Sequence, residues 1–346
     1  MKIEDKRLFE FIREYLVFYL PRQKMVSPNT VKSYRETLNL YIDFLSVFKV
    51  HSLKDVSFND ISSDSINAFL EWLENERHCG LTTLNQRLSA IRAFLKYVGM
   101  KEPVYNDYYL SAGQVPKRKT ENKLTVDHFS EVALDAILSR PNARTMKGHR
   151  NLFYMILLYD TAARNSEILN LFPKDIVIDT ESPYVIINGK GKKIRLVPIM
   201  KETVQHYKSY MSRFHGDSMD RTPLFYTEIH SNRQNMSDDN VARFIKKYAL
   251  EARDSCREVP NRVTPHMFRH SRALSLYRKG VPLPLISEWL GHSNLETTLI
   301  YAYADTEMKR VAIEKATAAN HPLRNTQKFN GAELDDDTLK RLYGLM

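Results

Sequence analysis

The sequence predicts a mainly α-helical protein in two parts, with a small β-hairpin in the second. Three observations carry that reading. Apolar residues recur at three- and four-residue spacing behind helix caps over most of the chain. β-Branched runs flank a glycine-bearing turn within 183–199, and a basic stretch holding Pro and Gly interrupts the helical pattern at 113–124. The 346 residues, 43% of them hydrophobic, suit about two domains of roughly 150 residues, each with its own core.

The elements follow in order. "MKIEDKRLFEFIREYL" mixes both charge signs with apolar residues and reads as an amphipathic helix, not a signal peptide. In "SPNTVKSYRETLNLYIDFL" Ser27 is placed to cap a helix with Pro28 at its first position, and Val31, Tyr34, Leu38, Ile42 and Leu45 form the apolar stripe. "TTLNQRLSAIRAFLKYV" repeats the scheme, with Thr83 and Gln86 as a capping box and Leu84, Leu88, Ile91, Leu95 and Val98 as the stripe. The opposite faces carry Lys32, Arg35, Arg87, Arg92 and Lys96. Residues 1–112 are thus read as a helical domain and "GQVPKRKTENKL", 113–124, as a linker whose Lys117, Arg118 and Lys119 can run along a phosphate backbone. The second domain is 125–346. Its hairpin is "PYVIINGKGKKIRLVPI", with Gly189, Lys190, Gly191 and Lys192 at the tip, and its tail begins near 318 and ends in the acidic "ELDDDTLKRLYGLM".

Charge and composition narrow the function. With 51 Lys and Arg against 41 Asp and Glu, the net charge of +10 favours a polyanionic partner, nucleic acid first. Two cysteines, Cys79 and Cys256, are too few for a disulfide framework or zinc ribbon and suit a reducing cytoplasm. The longest apolar run, "LFYMILLY", falls far short of the ~20 residues of a membrane span.

One stretch concentrates chemistry: "TPHMFRHSRALSLYRKGVPLPLISEWLGHSNLETTLIYAYAD", 264–305. With Thr264 as N-cap and Pro265 first in the helix, His266 lies in the first turn, where unpaired N–H groups and the helix dipole favour an anion. Arg269, three residues on, shares that face and supplies planar, bidentate donors suited to a phosphate. "PLPLISEWL" is an apolar helix stopped by Gly291, and "SNLE" reads as a capping box opening the next helix, so His292 sits in the joint between them. Tyr301 follows within that second helix.

These residues resemble the tyrosine recombinases, the family of phage integrases, chromosome-dimer resolvases and transposon integrases. The matching pieces are "TAARNSEILNL" around Arg164, "GKGKKIRLVPI" around Lys190, "HMFRH" with His266 and Arg269, "LGHSNLETTLIY" with His292, and Tyr301 nine residues after it. They occur in the family's order behind a helical domain and a basic linker. The sequence departs from the family at Ala162 and Ala163, where Thr-Gly-Leu commonly precedes the arginine.

The resemblance implies a two-domain clamp on double-stranded DNA in which Tyr301 attacks a scissile phosphate and forms a 3′-phosphotyrosyl link. It makes Arg164 and Arg269 the holders of the nonbridging oxygens, His292 a further donor, His266 the proton acceptor for the phenol, and Lys190 the acid for the leaving 5′-oxygen. Lys192 and Lys193 stand beside Lys190, which fills the family's position in "GKGKK"; Tyr303 competes with Tyr301, and the nine-residue spacing favours Tyr301. Cationic side chains replace a metal, so neither metal nor cofactor is expected, and Glu167 orients an arginine or closes a helix turn instead of binding magnesium. Arg87, Arg92, Lys96 and the linker cations are the expected DNA contacts. The family's working form implies a tetramer on two duplexes, with the tail after about 318 packed on a neighbouring subunit. A type IB topoisomerase, a DNA-binding protein without catalysis and a metal-dependent nuclease are the other classes open to this pattern.

Overall fold

The computed structural model describes residues 5–50, 52–120, 126–189, 193–216, 222–229, 232–292 and 294–304, with isolated positions beyond them. The chain divides into two compact units, Met1–Asn122 and Lys123–Met346.

The first unit is helical: α1 (Lys6–Glu14), which continues in wider π turns over Tyr15–Gln23, α2 (Pro28–Leu45), α3 (Ser63–Asn75), α4 (Leu81–Lys101) and α5 (Asn106–Gln114). Asp5 starts α1 by accepting the Leu8 N–H at 3.1 Å, while its second oxygen takes the Phe58 N–H at 3.1 Å. Ser27 caps α2 as expected, accepting from the Thr30 N–H at 3.2 Å. The expected capping box of the fourth helix does not form. Gly80 is the N-cap of α4, Thr83 lies inside its first turn, and the Gln86 amide instead donates to Ser33 Oγ at 3.0 Å. The stripe itself is as read: Leu84, Leu88, Ile91, Leu95 and Val98 are all buried. Phe11 closes the core edge-on to Phe58, Tyr97 and Tyr105.

The stretch read as a linker begins as part of this unit. Gly113 and Gln114 complete α5, Val115 is buried, and the Arg92 guanidinium donates to the carbonyls of Ala112 (2.9 Å), Gly113 (3.1 Å) and Val115. Asn85 then pairs both the N–H and the carbonyl of Arg118, each at 2.8 Å. Helical periodicity cannot announce such a bracket, because α4 side chains make it with main-chain groups.

The second unit contains α6 (Glu131–Leu138), α7 (Met146–Thr161), α8 (Asn165–Leu169), β1 (Ile176–Val177), β2 (Tyr184–Asn188), β3 (Ile194–Pro198), α9 (Lys201–Phe214), β4 (Tyr226–Ile229), β5 (Asn232–Asn235), α10 (Asp238–Arg253), α11 (Pro265–Arg278), α12 (Leu283–Leu290) and α13 (Glu296–Ala304). The expected hairpin is β2–β3, antiparallel with Val185 opposite Val197, and β1 adds a third strand. The β4–β5 hairpin was not legible, since "NRQN" has neither alternation nor β-branched residues and is exposed throughout. The run "LFYMILLY" is the middle of α7; Phe153, Tyr154, Met155, Leu157 and Leu158 are fully buried in the core. Near its end Asp160 ties three elements together, accepting from the Met200 N–H (2.8 Å), Thr203 Oγ1 (2.7 Å) and Arg272 (3.0 Å). Among the described residues no helix is long and apolar enough to cross a membrane. The hairpin tip with Lys190 and Lys192, Ser293, and all but a few positions of the tail from about 318 lie outside the described residues.

Candidate active site

The end of α7 builds the floor of the site. Ala162 caps that helix in the left-handed conformation, φ 51°, at the position where the related pattern carries glycine. An L-residue there costs roughly 1–2 kcal/mol. The turn aims two carbonyls outward: Thr161 accepts from the Trp289 indole at 3.1 Å, and Ala162 from Arg269 Nη1 at 2.8 Å.

Arg269 is 2% exposed, and its Nη2 donates to the Leu290 carbonyl at 2.8 Å, so one guanidinium spans the ends of α7 and α12. Burial and the neighbouring Arg164 charge lower its pKa to about 10, which leaves it cationic at neutral pH. Arg164 is the N-cap of α8. Its N–H donates to Glu167 at 2.8 Å and its Nη1 at 3.0 Å, so the arginine is oriented by Glu167 as the sequence implied.

Glu167 has a second partner that the sequence reading missed. Arg195 on β3 reaches both its oxygens, at 3.1 and 2.7 Å, while Arg195 Nε donates to the Trp289 carbonyl at 2.9 Å. Burial alone would raise the carboxyl's pKa; the Arg195 bonds, the Arg164 N–H and both charges outweigh it and hold Glu167 ionised. Arg195 also fixes the α12–α13 joint. Gly291 ends α12 at φ 65°, and a Cβ there would stand 3.0 Å from Arg195 Nη1, so glycine is required both for the turn and for the close approach. The signal was present in "KKIRLVP", where strand alternation turns Arg195 toward α8 and Ile194 and Leu196 outward.

His292 follows in that joint, with Nδ1 hydrogen-bonded to Thr298 Oγ1 at 2.8 Å. Ser293, of the expected capping box, lies outside the described residues; Asn294 accepts the Glu296 N–H at 3.0 Å. Tyr301 on α13 is 1% exposed, packed with Ala162, Ala273, Leu274, Ile286 and Leu290, whereas Tyr303 is 55% exposed. Burial raises the Tyr301 phenol to about 12, against the opposing pull of Arg269. It is His270 that meets this hydroxyl, through Nδ1 at 2.9 Å. His266, the expected acceptor, lies one turn earlier on α11 with its ring edge-on to His270 at 4.6 Å. Burial lowers the pKa of His266, and Arg269 and Arg164 lower it further. His270 and His292 are held down to about 4, first by burial and then by the surrounding cations.

Arg164, Lys193, Arg195, Trp289 and His292 line an open groove of about 960 Å³ between β3 and α12. Among the described residues no group of three or more His, Cys, Asp or Glu is placed to hold a metal ion. The groove presents the Arg164 and Arg195 guanidiniums, Lys193 and the His292 imidazole, with Glu288 also on its wall and Glu167 engaged in orienting the two arginines. That donor set suits a phosphate diester.

Comparison with known proteins decides the assignment. Residues 129–308 match the model of the phage integrase family, and 12–101 match its N-terminal SAM-like domain. The chain belongs to the phage integrase family. As a tyrosine recombinase it is 28% identical over 311 residues to a putative integrase/recombinase, y4rC, of Sinorhizobium fredii, covering 90% of this chain and 92% of that one. It is also 28% identical to the tyrosine recombinase XerD of Staphylococcus saprophyticus, over 90% of this chain and 98% of that protein. In fold the integrase-family chain resembles the XerH recombinase bound to its difH substrate in a pre-cleavage complex, with a TM-score of 0.62 at 19% identity, covering 90% of this chain and 89% of that one. Site-specific DNA recombination is the activity of this class, and DNA is its partner.

Of the expected DNA contacts in the first unit, Lys96, Lys117 and Lys119 are exposed. Arg92 is engaged with main-chain carbonyls as described, and Arg87 donates to the buried Thr37 Oγ1 at 2.8 Å. Both are partly buried and bonded to groups of their own helical unit.

Proposed function

We propose that Tyr301 is the nucleophile of DNA strand cleavage. Its oxygen attacks the scissile phosphorus, the P–O5′ bond breaks, and a 3′-phosphotyrosyl link forms while the 5′-oxygen takes a proton from Lys190. The 5′-hydroxyl of a second duplex then reverses the step and reseals the strand in a new partner. Arg164 and Arg269 hold the nonbridging oxygens as charge builds on the phosphorane, and His292 donates a further hydrogen bond. The phenolic proton passes to a histidine of α11, the role that the resemblance gives to His266. Because the guanidiniums and imidazoles neutralise the developing charge, the step requires neither divalent ion nor nucleotide.

The observation that carries this reading is the convergence of four segments, 161–167, 195, 266–270 and 289–301, on one buried phenol and its cations. The exposed cations Lys96, Lys117 and Lys119, with Arg118 between them, follow the DNA backbone. We infer a tetramer on two duplexes, with the tail from about 318 docked on a neighbouring subunit. A chain truncated at 325 that still assembled on DNA and recombined normally would remove that part.

A suicide substrate that traps the covalent adduct tests the chemistry. The adduct maps to the peptide holding Tyr301, forms in EDTA, and disappears in Tyr301→Phe while DNA binding persists. An adduct on Tyr303, or full activity in Tyr301→Phe, overturns the assignment. Supercoil relaxation with no recombinant product reassigns the enzyme to same-strand rejoining.

A further inference from the structure

Resting on the assignment of Tyr301 as nucleophile, we propose that His270 is a further catalytic residue, the group that receives the phenolic proton during strand cleavage. His270 Nδ1 lies 2.9 Å from the Tyr301 hydroxyl, and the two rings pack with centroids 5.8 Å apart. A pair at that distance transfers a proton along an existing hydrogen bond. The geometry also fixes the roles of the two histidines. They stand four residues apart on one face of α11, and the edge-on contact with His266 braces the His270 ring.

The charges around His270 suit an acceptor. His266, Arg269 and His292 face it and disfavour a cationic imidazole, with Asp127 the opposing charge, so the ring is neutral at pH 7. A neutral ring that donates from Nε2 leaves Nδ1 as the acceptor, and the phenol is then the donor. The phenol's raised pKa means that the proton does not leave ahead of the reaction. It moves as the Oη–P bond forms. The bond from oxygen to phosphorus replaces the O–H bond, the electron pair of P–O5′ leaves with the 5′-oxygen, and the imidazolium that remains is poised to return the proton to Tyr301 on resealing.

The test is single-turnover adduct formation on the suicide substrate with the full chain. His270→Ala lowers the rate by about 10² or more at unchanged DNA affinity. His270→Asn, which keeps a hydrogen-bond acceptor without a basic nitrogen, is slowed similarly and guards against a failure of folding. Replacing Tyr301 by difluorotyrosine, a more acidic phenol, restores most of the rate to either variant and adds little to the parent.

Parent-like cleavage by either variant overturns the proposal, as does a slowing that the acidic phenol does not relieve. A larger, relievable slowing in His266→Ala than in His270→Ala also overturns it. Tyr301→Phe separates the two claims: adduct retained there sinks the nucleophile assignment itself, whereas adduct abolished there with the His270 variants unaffected sinks this inference alone.

Discussion

Two side chains show how closely the site depends on individual residues. Arg195 and Glu167 form a buried pair, 11% and 6% exposed, that also carries Arg164 and the Trp289 carbonyl. Removing one partner strands the other, so Arg195→Ala should destabilise the chain by about 3–5 kcal/mol in urea unfolding. In a double-mutant cycle with Glu167→Gln the two effects should fall well short of adding. Ala162 carries the opposite kind of strain. Ala162→Gly relieves roughly 1–2 kcal/mol of left-handed backbone and forfeits about 0.8 kcal/mol for a buried methyl, so its stability should match or exceed the parent's by less than about 1 kcal/mol. Ala162→Val, branched at a positive φ, should lose more than about 2 kcal/mol, read from the same unfolding curves. Arg269 and His292 could be placed from the Thr264 cap and the Gly291 stop, whereas Arg164 and Tyr301 were named through the resemblance and its spacing. Arg195 and His270 were not, although both lie within the family's motifs, because their importance comes from partners 28 and 31 residues away.

At the scale of elements, the α4–α5 pairing separates structural cations from outward ones. Arg92 brackets the carbonyls of 112, 113 and 115, and charged hydrogen bonds of this kind contribute about 1.5–3 kcal/mol. Arg92→Ala should therefore speed proteolysis within 113–122 and leave the salt dependence of DNA binding unchanged. Lys96→Ala with Lys117→Ala and Lys119→Ala should do the reverse, flattening the slope of log K against log salt by up to about 0.9 for each phosphate that is no longer neutralised. Unchanged slopes in that triple variant would remove these lysines from the interface. Helices α1, α2, α4, α11, α12 and α13 were readable from apolar periodicity and from Ser27, Thr264 and Gly291 at their ends. The start of α4 was not, because Gly80 offers no side-chain cap and a plausible Thr–Gln pair stood just beyond it. Sequence registers local hydrogen-bonding potential; the core decides where the turn begins.

For the molecule as a whole, the site couples stability to pH. His270 and His292 titrate near 4 in the folded chain against 6.5 for an open chain. Between those values the unfolded state binds more protons, so the unfolding free energy is full above about pH 7 and falls as pH drops through 6.5 toward 4. Each imidazole adds a slope of at most about 1.4 kcal/mol per pH unit, reduced where water reaches the ring. Urea titrations from pH 7.5 to 4.5 should show this decline, and His292→Gln should make it shallower. A DNA phosphate in the groove adds negative charge beside His292, raises its pKa and flattens the decline. The buried phenol has a consequence of its own. A ring that is 1% exposed and packed among Ala162, Ile286 and Leu290 is shielded from dissolved electrophiles as well as from water. Mild nitration of the DNA-free protein should therefore mark Tyr303 and spare its neighbour two residues earlier, so the reactive ring would be the one that a surface-labelling reagent overlooks.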